Sequence, residues 1–226
     1  MLSIYDRARR TAKRSIAASQ DLRISVALDR PVGRPHTTAV KDGRTLDCVV
    51  PAAGRSQRMG TWKPLLTFGS ATIIQTVVAR AASACRRVIV VAGYRGDELA
   101  RLLGGTSGVE VVQNPEWELG VFSSIRCGAA EVGSERFYIT LGDMPWIRPE
   151  VYAVLEEPPS ADAVFPVFGG RRGHPVLVSQ SVRQAVLETD PTVPTMRQVL
   201  ARFAAREVEW TDDSILRDID TPEDYG

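Results

Sequence analysis

A loop of small residues and two separated acidic positions are the parts of this sequence that look equipped for chemistry. Residues 51–64 read PAAGRSQRMGTWKP and directly follow an apolar run. Ala52, Ala53 and Gly54 carry almost no side chain, so a ligand can approach their backbone and exposed N–H groups can cradle phosphate oxygens. Arg58 and Lys63 supply the charge to neutralise a polyphosphate, with Ser56 just before them and Met59 and Gly60 between them. The spacing is neither the G-x-x-x-x-G-K-[ST] of a Walker loop nor a dinucleotide G-x-G-x-x-G, which argues against a P-loop ATPase or a dehydrogenase. A plain Gly-rich turn with solvated charges is the competing reading.

Asp143 lies in Leu141-Gly142-Asp143-Met144-Pro145, just after a second apolar run. A carboxylate there suits Mg²⁺, which takes one or two carboxylates and completes its shell with substrate phosphates. An N-cap for the next helix is the alternative. Residues 218–224, DIDTPED, offer a second acid at Asp220, although Thr221-Pro222-Glu223 is also an ordinary helix start. A phosphate loop with two separated carboxylates suits attack on a nucleoside triphosphate, where the protein mainly positions reactants and a metal offsets developing charge. Other chemistries fit less well. There is no G-x-S-x-G elbow, and His174 sits in a Gly/Pro turn without a serine partner. With only His36 and His174 present, a metal here is a hard cation held by oxygen. Cys48, Cys85 and Cys127 are odd in number and far apart, so they are expected to be small buried hydrophobes, not a disulfide framework or zinc cage.

The elements that position these groups follow from hydrophobic periodicity. Short β-branched runs at 46–50, 87–93, 109–113, 136–141 and 163–168 alternate with helical patterns at 72–84, 97–103 and 182–188. That alternation predicts an α/β, doubly wound, mostly parallel sheet, with ligands beyond the carboxyl edge of the strands. At 226 residues and 44% apolar content the chain suits one domain plus an appendage. Residues 1–44 carry ten Lys and Arg against four Asp, a charge of +6 in a chain whose net charge is +1. A boundary near Arg44 is therefore expected, with a basic extension and Pro/Gly-rich linker over 1–44 and the folded domain over 45–226. A poorly ordered extension, an arm for RNA or membrane surfaces, and a partner-docking helix are the three readings of that segment. Nucleic acid is not an expected partner, since Tyr5 is the lone aromatic among the basic residues. No apolar run of about 18 residues and no secretory leader is visible, so a cytoplasmic location without membrane contact is expected.

The motifs also carry a resemblance. Ala52-Ala53-Gly54-x-Ser56-x-Arg58-Met59-Gly60-x-x-Lys63 resembles the signature loop of the MobA-like nucleotidyltransferases. Gly93-Tyr94-Arg95, Asn114-Pro115-Glu116-Trp117 with Gly120 and Ser123-Ser124, Gly142-Asp143-Met144-Pro145, Gly173-His174-Pro175, Met196-Arg197-Gln198 and residues 218–224 follow in the family's order. Within the family the chain is most similar to the molybdenum cofactor cytidylyltransferases. The resemblance implies a Rossmann-like fold of the nucleotide-diphospho-sugar transferase type, with CTP and Mo-molybdopterin as substrates and a molybdoenzyme as client. It implies that residues 52–60, Lys63 and Gly93 bind the nucleotide, that Arg58, Lys63 and Asp143 serve catalysis, and that Asp143 with Asp220 binds Mg²⁺. Ser123, Ser124, Arg171, Arg172 and His174 are implied on the acceptor side. Ala53 matches cytidylyl enzymes, whereas guanylyl relatives carry Gly there. Transfer of GMP, transfer of CMP to another phosphorylated molecule, and a cofactor-carrying binding protein are the alternatives. The start Pro51-Ala52-Ala53-Gly54 is also similar to that of the methylerythritol-phosphate cytidylyltransferases, whose later motifs are not matched.

Overall fold

Strands that are apolar on both faces build the centre of the structure. The computed structural model describes residues 25–26, 43–157, 161–192 and 195–225. Apart from residues 25–26 and 43–44, the basic extension and Pro/Gly linker expected from the sequence lie outside the described residues. Ser25–Val26 (β1) pairs in parallel with the strand Val109–Gln113 (β6). Asp47–Pro51 (β2) is buried at all five positions, between Arg87–Ala92 (β5) and Arg136–Ile139 (β7), both parallel to it. Its side chains alternate. Cys48 and Val50 face one hydrophobic cluster with Val88 and Val90, while Val49 faces a second with Ile89 and Val91. A strand covered on both sides reads as a continuous apolar run, which is why periodicity finds it.

Helices cover both faces. Ile73–Ala84 (α1), Gly96–Leu103 (α2) and Pro149–Glu156 (α4) contribute to the first cluster; Val121–Glu131 (α3), Gln180–Glu188 (α5) and Met196–Leu200 (α6) contribute to the second. Thr72 and Gln75 form a capping box that starts α1 after the small hairpin of Thr67–Phe68 (β3) and Ala71–Thr72 (β4). Helix α3 approaches the sheet closely at Gly128, where an added Cβ would lie 2.4 Å from Val49 Cγ1 and 2.9 Å from Val91 Cγ2.

The main sheet is ordered β1-β6-β5-β2-β7-β10-β8-β11, with Ala163–Phe168 as β8, Val176–Ser179 as β10 and Ala205–Glu209 as β11. Arg171–Arg172 (β9) folds back on β8. From β2 the chain moves outward through β5 and β6, then returns to the other side of β2 as β7. This reversal opens a crevice beyond the carboxyl ends of the strands. Each run and helix expected from the sequence is present within two residues of its predicted ends. Elements beyond those expected include the helices α3, α4 and α6, the two-residue strands β1 and β9, and two longer strands: β10, which runs antiparallel between β7 and β8, and β11, an edge strand whose alternating charged residues leave no apolar run.

Two packing details fix the ends of β2 and β7. At the foot of β2, fully buried Asp47 pairs with Arg86 at 2.8 Å and Arg87 at 3.1 Å and accepts a bond from Gly133 N. Near the top, His174 N donates to Ile215 O, and a Cβ at Gly173 would lie 2.3 Å from that carbonyl, so this turn requires glycine. The His174 ring lies at the end of β7, with Nδ1 3.4 Å from Ile139 O. Burial holds its pKa below the ordinary 6.5, with the Ile139 carbonyl and Asp143 offsetting this in part.

Two outcomes follow. Gly128→Ala should lower unfolding free energy by about 1–3 kcal/mol in urea denaturation, because overpacking outweighs the helix-propensity gain of about 1 kcal/mol; a net stabilisation would show that α3 moves freely off the sheet. As pH falls below 6.5 the unfolded chain takes up a proton that folded His174 resists, so stability falls. Urea midpoints of wild type should drop more steeply between pH 6.5 and 5 than those of His174→Gln, and parallel curves would contradict this.

Candidate active site

The loop that leaves β2 is pinned on both sides at the crevice. Ala52 N donates to Val91 O at 2.8 Å, Tyr94 N to Ala53 O at 3.0 Å, and Gly142 N to Pro51 O at 3.1 Å. The start of the loop thus lies between the ends of β5 and β7. A Cβ at Gly54 would meet no atom within 4 Å, so this residue faces open space. Ser56 adopts the left-handed conformation at φ 56°, and a short 3₁₀ turn, Gln57–Met59, follows it. Lys63 opens a second 3₁₀ turn, its backbone N donating to Ser56 Oγ at 3.0 Å, while Trp62 Nε1 donates to Gly54 O at 3.1 Å. These bonds set where the Lys63 side chain begins.

That side chain ends between two carboxylates. Lys63 Nζ lies 2.9 Å from Asp143 Oδ2 and 2.8 Å from Asp220 Oδ1, and Arg58 reaches the other oxygen of Asp220 at 2.8 Å. Lys63 is 13% exposed and the two aspartates about a quarter exposed, whereas Arg58 is 72% exposed. Burial alone would lower the Lys63 pKa; its pairs with Asp143 and Asp220 outweigh that and raise it above the ordinary lysine range, so it stays an ammonium at neutral pH.

Asp143 is not a helix cap, since the next helix, α4, is capped at Arg148. Instead its carbonyl accepts a bond from Ile219 N at 3.0 Å, which fastens the C-terminal segment to the end of β7. Ile219 is fully buried, so Asp218 and Asp220 on either side of it turn toward the crevice, and both line it. Asp224 accepts from the backbone N of Asp220 and Thr221, so the segment is also the start of the short helix Pro222–Tyr225 (α7). Burial, then the charges of Asp220 and Asp143, raise the pKa of Asp218.

The crevice encloses a cavity of about 750 Å³. Of the residues singled out in the sequence, Ala52, Ala53, Gly54, Ser56, Arg58, Lys63, Ser124, Asp143 and Asp220 line it. Met59, Gly60, Gly93, Ser123, Arg171, Arg172 and His174 do not. Gly93 permits close packing, since a Cβ there would lie 2.5 Å from Trp117 and 2.8 Å from Ala53 Cβ. Buried Asn114 donates to Ser123 Oγ and Ser124 Oγ, and Ser123 Oγ donates onward to the Glu116 and Gly120 carbonyls, so Ser123 serves the wall's architecture. Arg171 and Arg172 are exposed on the β8–β9 hairpin, with Arg172 paired to Glu207. Asp218, Arg55, Trp117 and Glu118 line the cavity and were not singled out as site residues. The Arg55 guanidinium stacks over Trp117 at 4.7 Å and pairs with Glu118. Asp218 was detectable as the partner of Asp220 two positions away; the Arg55 stack joins residues 62 positions apart and had no local signal. Among the described residues no group of three or more His, Cys, Asp or Glu is arranged to hold a metal. No helix among the described residues is long and apolar enough to cross a membrane.

The chain is similar to known proteins in both sequence and fold. Residues 48–208 match the MobA-like NTP transferase domain family. The molybdenum cofactor cytidylyltransferase of Escherichia coli (strain K12) is 34% identical over 180 residues, covering 80% of this chain and 93% of that protein. A probable molybdenum cofactor guanylyltransferase of Methanosarcina acetivorans is 28% identical, covering 81% and 86%. Among solved structures, a homologue of Mycobacterium tuberculosis Rv0371c from Mycobacterium sp. strain JC1 superposes with a TM-score of 0.67 at 28% identity, over 80% of this chain and 92% of that one. With a family match running from the strand before the small-residue loop through Asp143 to the last strand of the sheet, the chain belongs to the MobA-like NTP transferase family and is a nucleotidyltransferase.

Proposed function

We propose that the chain transfers CMP from CTP to the terminal phosphate of Mo-molybdopterin, forming molybdopterin cytosine dinucleotide and pyrophosphate. The observation that carries this reading is the Lys63 ammonium set between Asp143 and Asp220 at the mouth of a small-residue loop. The similarity to the E. coli cytidylyltransferase over nearly its whole length supports the choice of substrates.

The donors fit Mg²⁺. Asp143 and Asp220 each turn a hard oxygen toward one point, and a cation already stands there as the lysine head group. When bound, the ion offsets charge on the triphosphate and on the departing pyrophosphate. The chain's own residues do the rest. The backbone of 52–56 and the Arg58 guanidinium hold the triphosphate, and Lys63 turns to the α-phosphate, whose oxygens gain charge as attack proceeds. An oxygen of the acceptor phosphate forms the bond to the α-phosphorus while the bond to the bridging oxygen of the pyrophosphate breaks. That acceptor phosphate is already ionised at neutral pH, with a second pKa of about 6, so no general base is needed. The side chains otherwise suited to nucleophilic catalysis are silent: burial raises the Cys85 and Cys127 thiols, and His174, half-buried, does not line the cavity.

Ser124 and the exposed Arg171 and Arg172 are proposed for the anionic acceptor, together with His174. Ala53 lines the cavity with a methyl group where guanylyl relatives carry Gly, which supports cytosine. A cytoplasmic setting and delivery of the product to a molybdoenzyme complete the proposal, and residues 45–226 are proposed as the catalytic domain.

Incubation with equal CTP and GTP, Mo-molybdopterin and Mg²⁺ should yield the cytosine dinucleotide with stoichiometric pyrophosphate, read by mass spectrometry. A guanine product would overturn the choice of base, and no turnover with any NTP would sink the reading. Asp143→Asn should lower kcat by about 10²-fold or more, whereas removal of residues 1–44 should leave turnover near wild type.

A further inference from the structure

Lys63 stands where a cation shared by Asp143 and Asp220 has to bind. Its Nζ is within 2.9 Å of both carboxylates, and its backbone is held by the Ser56 bond, so this placement is built into the loop. Arg58 occupies the remaining oxygen side of Asp220. A divalent ion that engages both acids therefore displaces an ammonium already neutralising them. The site's charge also has to be balanced in stages. Lys63, Arg58 and Arg55 face Asp143, Asp218, Asp220 and Glu118 across the cavity, and each of these cations already has a carboxylate partner, so a triphosphate arriving alone adds several negative charges to cations that are already engaged.

We infer that Lys63 is a resident competitor for the metal site, so that a divalent cation enters productively only together with a triphosphate, which gives Lys63 a new anionic partner. The inference rests on the reading that Asp143 and Asp220 hold the metal. Each ligand lowers the cost of the other: the triphosphate draws Lys63 away from the carboxylates, and the metal replaces the charge that Lys63 takes with it. Such coupling is reciprocal by linkage. Its consequence is a site that resists free divalent ions yet binds the metal–nucleotide complex.

Mn²⁺ binding read by electron paramagnetic resonance tests this without turnover. Without nucleotide, Lys63→Met should bind Mn²⁺ at least about fivefold more tightly than wild type, and Lys63→Arg, which keeps the charge, should stay close to wild type. With CTP added and its own Mn²⁺ complex subtracted, wild type should tighten and the gap between wild type and Lys63→Met should close. Equal Mn²⁺ affinity of wild type and Lys63→Met without CTP, together with loss of binding in Asp143→Asn, would overturn the competitor role and leave the metal site intact. Absence of Mn²⁺ binding by every form, CTP included, would remove the metal-site reading and the inference with it. If circular dichroism shows Lys63→Met unfolded, wild type alone decides: no tightening by CTP overturns the inference.

Discussion

One ammonium group joins three distant parts of the chain. Lys63 comes from the loop after β2, Asp143 from the turn after β7, and Asp220 from the C-terminal segment, and they meet at distances below 3 Å. Two carboxylates this close to each other repel unless a cation lies between them, so the position of each depends on the others. The loop bond from Lys63 N to Ser56 Oγ and the bond from Ile219 N to Asp143 O hold the two ends of this arrangement. The fold supplies what such a cluster needs, which is a rigid backbone on either side of it.

That rigidity comes from the centre of the sheet. β2 is buried at every position and its neighbours on either side run parallel to it, so all three strands aim their carboxyl ends at the same crevice. Residues with little or no side chain let the connections after these strands approach one another: Gly93 against Trp117 and Ala53, and Gly142 against Pro51 and Ala52. A side chain at either glycine would separate loops that must touch for the cavity wall to close. At the opposite end, the Asp47 carboxylate shared by Arg86 and Arg87 anchors β2 with a buried charge that has its full set of partners.

Much of this was legible in the sequence because local pattern encodes it. Val49, Val50 and the Arg87–Ala92 run are apolar on consecutive positions, as a strand buried on both faces requires, and Ala52 to Lys63 announces close backbone approach with adjacent cations. Asp143 was legible as an acid at the carboxyl edge, and Asp220 as a second acid near the C-terminus with no place in the sheet. What escaped is non-local. The antiparallel insertion of β10 depends on which strand β7 leaves room for, and β11 alternates charged residues because one edge is solvated. The Lys63 bridge joins positions 80 and 157 residues apart, so spacing along the chain says nothing of it. The Gly173-His174-Pro175 motif was read as facing a ligand, yet its tight fit against Ile215 explains the glycine by packing alone.

The exchange of partners at Lys63 can be seen directly by diffraction. In crystals grown with CTP and Mn²⁺, the anomalous signal of manganese should lie between the Asp143 and Asp220 carboxylates, with Lys63 Nζ moved onto the α-phosphate. Manganese bound elsewhere, with Lys63 still paired to both aspartates beside an ordered nucleotide, would contradict it.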